Sequence, residues 1–79
     1  MKVYITKYAL THGIIATDAT PDRKEPTMIR VKHGAGLREF RGNDWHSYRR
    51  DAIARSAEMR DLRILSLNRQ RDRLDRIKF

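Results

Sequence analysis

Thirteen of the chain's 18 basic side chains are arginine, and nine of those thirteen fall between Tyr48 and Phe79. A guanidinium is a planar, always-charged fork that matches the oxygens of a phosphate or carboxylate and can stack on a flat ring. Two groups stand out by spacing. Arg38, Arg41, Arg49 and Arg50 are interleaved with Phe40, Trp45, His46 and Tyr48, a mixture suited to gripping phosphates while stacking bases. Arg55, Arg60, Arg63, Arg69, Arg73 and Arg76 follow at intervals of three to six residues. Each group also has a plainer reading. Phe40 and Trp45 serve equally well as core anchors between solvated arginines, and for those two this reading is favoured. The later arginines, laced with Asp61, Asp72 and Asp75, could form a solvated face. Arg49 and Arg50 point towards function, because cations beside a helix N-terminus oppose its macrodipole at a cost that folding does not require.

Other chemistries find little support. His12, His33, His46 and Asp44 are the candidate metal ligands, and no pair of them has the spacing of a metal motif. There is no cysteine, so neither disulfides nor a thiolate zinc site can reinforce the fold. Gly34-Ala35-Gly36 lacks the length and the following Lys-Ser/Thr of a phosphate-cradling loop, and reads as a turn. No Ser, His and acid are placed for nucleophilic catalysis, and Glu58 stands without a carboxylate partner. The expectation is a protein that binds rather than catalyses, without metal or cofactor.

With 79 residues, the chain is expected to be a single domain, near the lower limit of what one hydrophobic core stabilises. Its formal net charge is +8. Residues 1–47 contribute +3 and residues 48–79 contribute +5, so the positive charge is concentrated towards the C-terminus. An excess of this kind favours an anionic partner, nucleic acid or a nucleoprotein surface. The first residues, MKVYITKYAL, alternate in character rather than forming a signal peptide, and no apolar run is long enough for a membrane span. A cytoplasmic protein is expected.

The elements that must position these arginines are an N-terminal β part, residues 1–46, and a long basic helix, residues 47–79. KVYITKY at residues 2–8 alternates like a strand, with Val3 and Ile5 on one face. Thr11-His12-Gly13 reads as a turn or bulge, residues 14–19 as a second strand, and TPDRKEP at 20–26 as an exposed loop carrying both prolines. Met28–His33 and Leu37–Arg41 read as a hairpin turning at His33-Gly34-Ala35-Gly36. Gly42-Asn43-Asp44 closes the β part, and Ser47 is the N-cap candidate for a helix over about residues 48–77. Such a helix is roughly 45 Å long and must overhang a small sheet. The predicted fold is α+β: a small antiparallel sheet of three or four strands packed on one long C-terminal helix.

On that helix Ile53, Ala57, Ile64, Leu67 and Leu74 form one broad stripe, while Met59, Leu62, Leu65 and Ile77 fall off it. Residues 59–67 are therefore apolar on several sides and want burial on more than one face. The sheet can cover one, and another helix, most simply that of a homodimer, the other. Met59, Leu62 and Leu65 are the candidate protein interface. Arg60 and Arg71 interrupt the heptad positions and argue against a regular coiled coil.

Three stretches, KVYITKYALTHGI at 2–14, DWH at 44–46 and AIARSAEMR at 52–60 ahead of the closing RLDRIKF, resemble short uncharacterised proteins carried by bacteriophages and prophages of Gram-negative bacteria. The resemblance covers about half the chain. It implies a small phage accessory protein, of a class that often blocks host nucleic-acid machinery, CRISPR effectors included, and it carries over no binding or catalytic residue. The leading expectation is a non-enzymatic binding protein of phage or mobile-element type. Its target would be a host nucleic-acid or nucleoprotein complex, with a defence inhibitor as the sharpest version. The alternatives are a sequence-nonspecific DNA- or RNA-binding protein with no defence role, and a dimeric structural or adaptor protein whose charge serves solubility.

Overall fold

The computed structural model describes the whole chain, Met1–Phe79, and has the expected α+β organisation. Strand β1 (Lys2–Ile5) lies between β2 (Ile15–Asp18) and β6 (Trp45–His46) in one antiparallel sheet. Strand β4 (Met28–His33) lies between β3 (Thr20–Pro21) and β5 (Gly36–Arg41) in a second. The β part is thus two three-stranded layers rather than one sheet. The period-2 pattern behaved as expected in β1, where Val3 and Ile5 are buried. They cluster with Ala19, Ile29 and Phe40 in a core drawn from both layers. The chain changes layer at two corners. Between β2 and β3 it bends at the buried Ala19. Between β5 and β6 it passes through a 3-10 turn at Gly42–Asp44, where Gly42 has φ 58°. Corners of this kind let two short sheets enclose a common interior.

The fully buried Thr6 closes one corner. Its N–H donates to the Asp44 carbonyl and its Oγ1 to the Asn43 carbonyl, both at 2.9 Å, so no polar group is left unpaired. Directly after the same corner Trp45, half-buried against the core, donates its indole N–H to the Thr27 carbonyl at 2.9 Å. Phe40 and Trp45 are therefore structural, as the plainer reading of that cluster held.

Several boundaries moved. The first strand stops at Ile5 because Thr6 turns its backbone to the corner, and residues 9–12 form a single helical turn, α1 (Ala9–His12). Gly13 ends it with φ 76°, a positive value that glycine adopts without strain. Thr20 and Pro21, assigned to a loop, pair with Arg30 and Ile29. Pro21 is tolerated because β3 is an edge strand. The hairpin of β4 and β5 turns at Gly34-Ala35 as expected, with Gly34 at φ 59°.

Helix α2 (Arg49–Asp75) begins one residue later than Ser47 would place it. Tyr48 holds the N-cap position in extended backbone, its carbonyl accepting from Asp51 and Ala52, and no side chain caps the helix. The helix packs against β1, β6 and α1 through its first turns, where Ala52 is completely buried and Arg55, Ser56, Ala57 and Met59 are half-buried. Beyond Met59 only Ser66 is even half-buried. At 27 residues the helix is about 40 Å long, and the molecule measures 57 × 27 × 22 Å. Its radius of gyration, 16.8 Å, compares with about 12 Å for a compact chain of this length. The outer half of α2 is a rod extending away from the β part.

Candidate functional site

The ten arginines singled out in the sequence do not form one surface. Arg38 and Arg41 belong to β5, in the layer away from α2. Arg38 donates to the Tyr8 hydroxyl at 3.3 Å, while Arg41 reaches Glu39 at 3.5 Å and lies against the Met28 sulfur at 3.2 Å. Arg49 and Arg50 open α2, exposed, with the Arg50 guanidinium 5.1 Å from the centroid of the Tyr48 ring. That contact is within cation–π range, so Tyr48 already has an arginine on one face. Arg55 pairs with Glu58 at 2.9 Å and Arg60 with Asp61 at 3.2 Å.

Arg63, Arg69, Arg73 and Arg76 make no ion pair. Three of them come together. Spaced four and three residues apart, Arg69 and Arg73 on the helix and Arg76 at its C-cap, still in helical backbone, lie on adjacent turns of one face. With Asp72 they line a shallow depression without any apolar residue. Asp72 takes none of the three as a salt-bridge partner. The helix holds them there because nothing between Arg49 and Asp75 breaks it, and because that part of the rod touches no other element.

A concave site with different chemistry lies between the layers. β3 pairs with β4 only as far as Thr20↔Arg30, which leaves Val31–His33 without a partner on the β3 side. The resulting cleft, about 330 Å³, has Ile5 and Phe40 among its apolar lining residues and Tyr8, His12, Lys32, His33 and Arg38 around them. No acidic residue lines it. The Tyr8 ring meets Phe40 edge-on at 6.3 Å and His12 at 6.2 Å. Of this group only Arg38 was singled out from sequence for anion binding. The local signal for the rest was the four-residue spacing of Tyr8 and His12, obscured by reading Tyr8 as the end of a strand and His12 as part of a turn or bulge. His12 and His33 share this cleft while His46 lies on β6, and nowhere do three His, Asp or Glu side chains converge as a metal ion requires.

The three proposed interface residues also separate. Met59 is half-buried on the side of α2 that carries Ala52, whereas Leu62 and Leu65 are exposed on the free rod. No helix of the structure is long and apolar enough to cross a membrane. Compared with protein-family models, curated proteins and solved structures, the chain matches none.

Proposed function

We propose that this chain is a small non-enzymatic binding protein for nucleic acid or a nucleoprotein complex, which it contacts through the outer half of α2. The carrying observation is the trio Arg69, Arg73 and Arg76, unpaired and on one face of a rod that extends away from the β part. A row of guanidinium groups about one helical turn apart suits successive phosphates along a backbone. The β part anchors the rod, and the surplus charge of the chain, +8, draws a polyanion towards it. The likeness to phage accessory proteins suggests the biological setting, a host nucleic-acid machine such as a defence complex, as the target.

The test is fluorescence anisotropy with labelled duplex DNA and single-stranded RNA over a range of salt concentrations. Replacing Arg69, Arg73 and Arg76 together by Glu is expected to abolish binding at moderate salt. Replacing them by Gln should lower the slope of log K against log salt by about 2.7 on a duplex, roughly 0.9 per lost phosphate contact. Circular dichroism should stay unchanged in both variants. Binding that survives the Glu variant would sink the assignment.

A further inference from the structure

Apart from the half-buried Ala57, the apolar stripe of α2 is exposed. Ile53, Ile64, Leu67 and Leu74 are 50%, 49%, 45% and 67% exposed. Overhang alone does not explain this, since Ile53 lies in the turns that dock. The body contacts a different face, the one carrying Ala52 and Met59. With Ala57, Arg60 and Arg71 included, the stripe runs from residue 53 to 74 in steps of four and three. That is the seven-residue period of a seam shaped for one other helix. A lipid surface calls for a broader apolar face with aromatic anchors, and this seam has no aromatic residue.

The two arginines in the seam define the partner. An antiparallel second copy can place Ile64 against Leu67 and Ala57 against Leu74, but the same register sets Arg60 against Arg71 twice. A parallel copy sets each arginine against itself. Around them Arg49 and Arg63 add to the positive charge, against two acids, Asp61 at 3.2 Å from Arg60 and Asp75 at 3.8 Å from Arg71. Self-pairing therefore brings like charges into the seam, whereas carboxylates eleven residues apart on a partner helix would meet both arginines in either orientation.

We infer that the seam of α2 docks an acidic, leucine-rich amphipathic helix of another protein. At about 100° per residue, the seam and the Arg69–Arg73–Arg76 face lie on opposite sides of the rod. The chain can thus hold a protein helix on one side and a polyanion on the other, as a nucleoprotein target would demand. The seam stands independently of the arginine face, and the two can be tested separately.

The experiment titrates the full chain with synthetic amphipathic helical peptides having a leucine seam interrupted at two positions eleven residues apart, by Glu in one peptide and Lys in the other. The Glu peptide should bind about tenfold or more tightly than the Lys peptide. Arg60→Glu combined with Arg71→Glu should reverse that preference. Ile64→Asp with Leu67→Asp should abolish binding while circular dichroism stays native. The Arg69, Arg73, Arg76 reversal should leave peptide binding intact, so failure of the seam and failure of the arginine face are distinguishable. The inference is overturned if neither peptide binds, if the preference ignores charge, or if sedimentation shows a dimer that Leu67→Asp dissolves. Binding to phosphatidylglycerol vesicles through Ile64 and Leu67, without peptide binding, would overturn it as well.

Discussion

Val3 and Ile29 in the β part have no solvent exposure, whereas Ile64 and Leu67 on the outer rod, no less apolar, keep nearly half of theirs. The first pair belongs to a cluster whose members come from four separate stretches of sequence. The second pair touches little beyond its own helix. Eight of 79 residues are buried, all of them between Val3 and Ala52, so tertiary stabilisation is confined to the β part and the base of α2. From Arg60 to Asp75 the helix is held by its own hydrogen bonds, propensity and exposed ion pairs. The same residue type thus has two uses: enclosed in the layers it holds the fold, and on the rod it is available to a partner.

The sharpest way to break this comparison is one truncation in each region. Ile29→Ala is expected to cost about 2–5 kcal/mol, a large part of the roughly 4–12 kcal/mol available to a chain of this size. Leu67→Ala should lie within about 0.5 kcal/mol of the parent. Urea unfolding followed by Trp45 fluorescence measures both. Equal losses would mean that the rod is packed on something in solution.

A smaller effect probes the joint. Ala52 is fully enclosed where α2 meets the first layer, so Ala52→Leu should overpack that contact and cost about 1–3 kcal/mol. Amide exchange would then quicken in the first turns of α2 while the β4–β5 hairpin keeps its protection. A variant as stable as the parent would show that the helix base is loosely seated.

How far the sequence disclosed this arrangement depends on the range of the forces involved. The hairpin at Gly34-Ala35, the turn ending at Gly13 and the long helix follow from local chemistry, and each was readable. The division into two layers was not, because it rests on Ala19 and the Gly42–Asp44 corner bringing distant strands together. The end of β1 was misjudged for a related reason: Thr6 is drawn to carbonyls 37 and 38 residues away. On the helix, periodicity located the stripe of Ile53, Ile64 and Leu67 correctly. It could not say that the body would take the neighbouring face instead, a choice made by the small Ala52, which permits close approach. The arginines were visible as a composition, but only the rod's projection separates Arg69, Arg73 and Arg76 from Arg55 and Arg60, whose carboxylate partners lie within the helix.

The rod itself can be perturbed without touching the core. Gln70→Gly should weaken the helix locally by about 1 kcal/mol, lowering far-ultraviolet ellipticity and opening the last turns to amide exchange. The urea midpoint by Trp45 fluorescence should not move. A shifted midpoint would couple the outer rod to the β core and erase the contrast between them.

The smallest expected effect separates the two regions by their response to acid. In the loop before β4, Asp22 Oδ1 accepts the N–H groups of Lys24 and Glu25 at 2.7 and 3.1 Å, and Oδ2 receives Arg30 at 2.7 Å. Those two backbone donors, with a smaller contribution from Arg30, hold its pKa below the ordinary value of 3.8. Glu25 is lowered in the same direction by the hydroxyl and N–H of Thr27. A carboxylate whose folded pKa is depressed adds stability above its unfolded pKa and loses it as pH falls through the folded value. The parent should therefore hold a constant urea midpoint from neutrality down to the ordinary carboxylate range and decline below it. Asp22→Asn should start lower at neutral pH and show a shallower acid decline, the two curves converging once Asp22 is protonated. The ion pairs Arg60–Asp61 and Arg71–Asp75 of α2 are exposed and stabilise little, so Asp61→Asn should run parallel to the parent at every pH. If it is Asp61→Asn that flattens the acid limb and Asp22→Asn that runs parallel, the charges that matter to folding are on the rod after all.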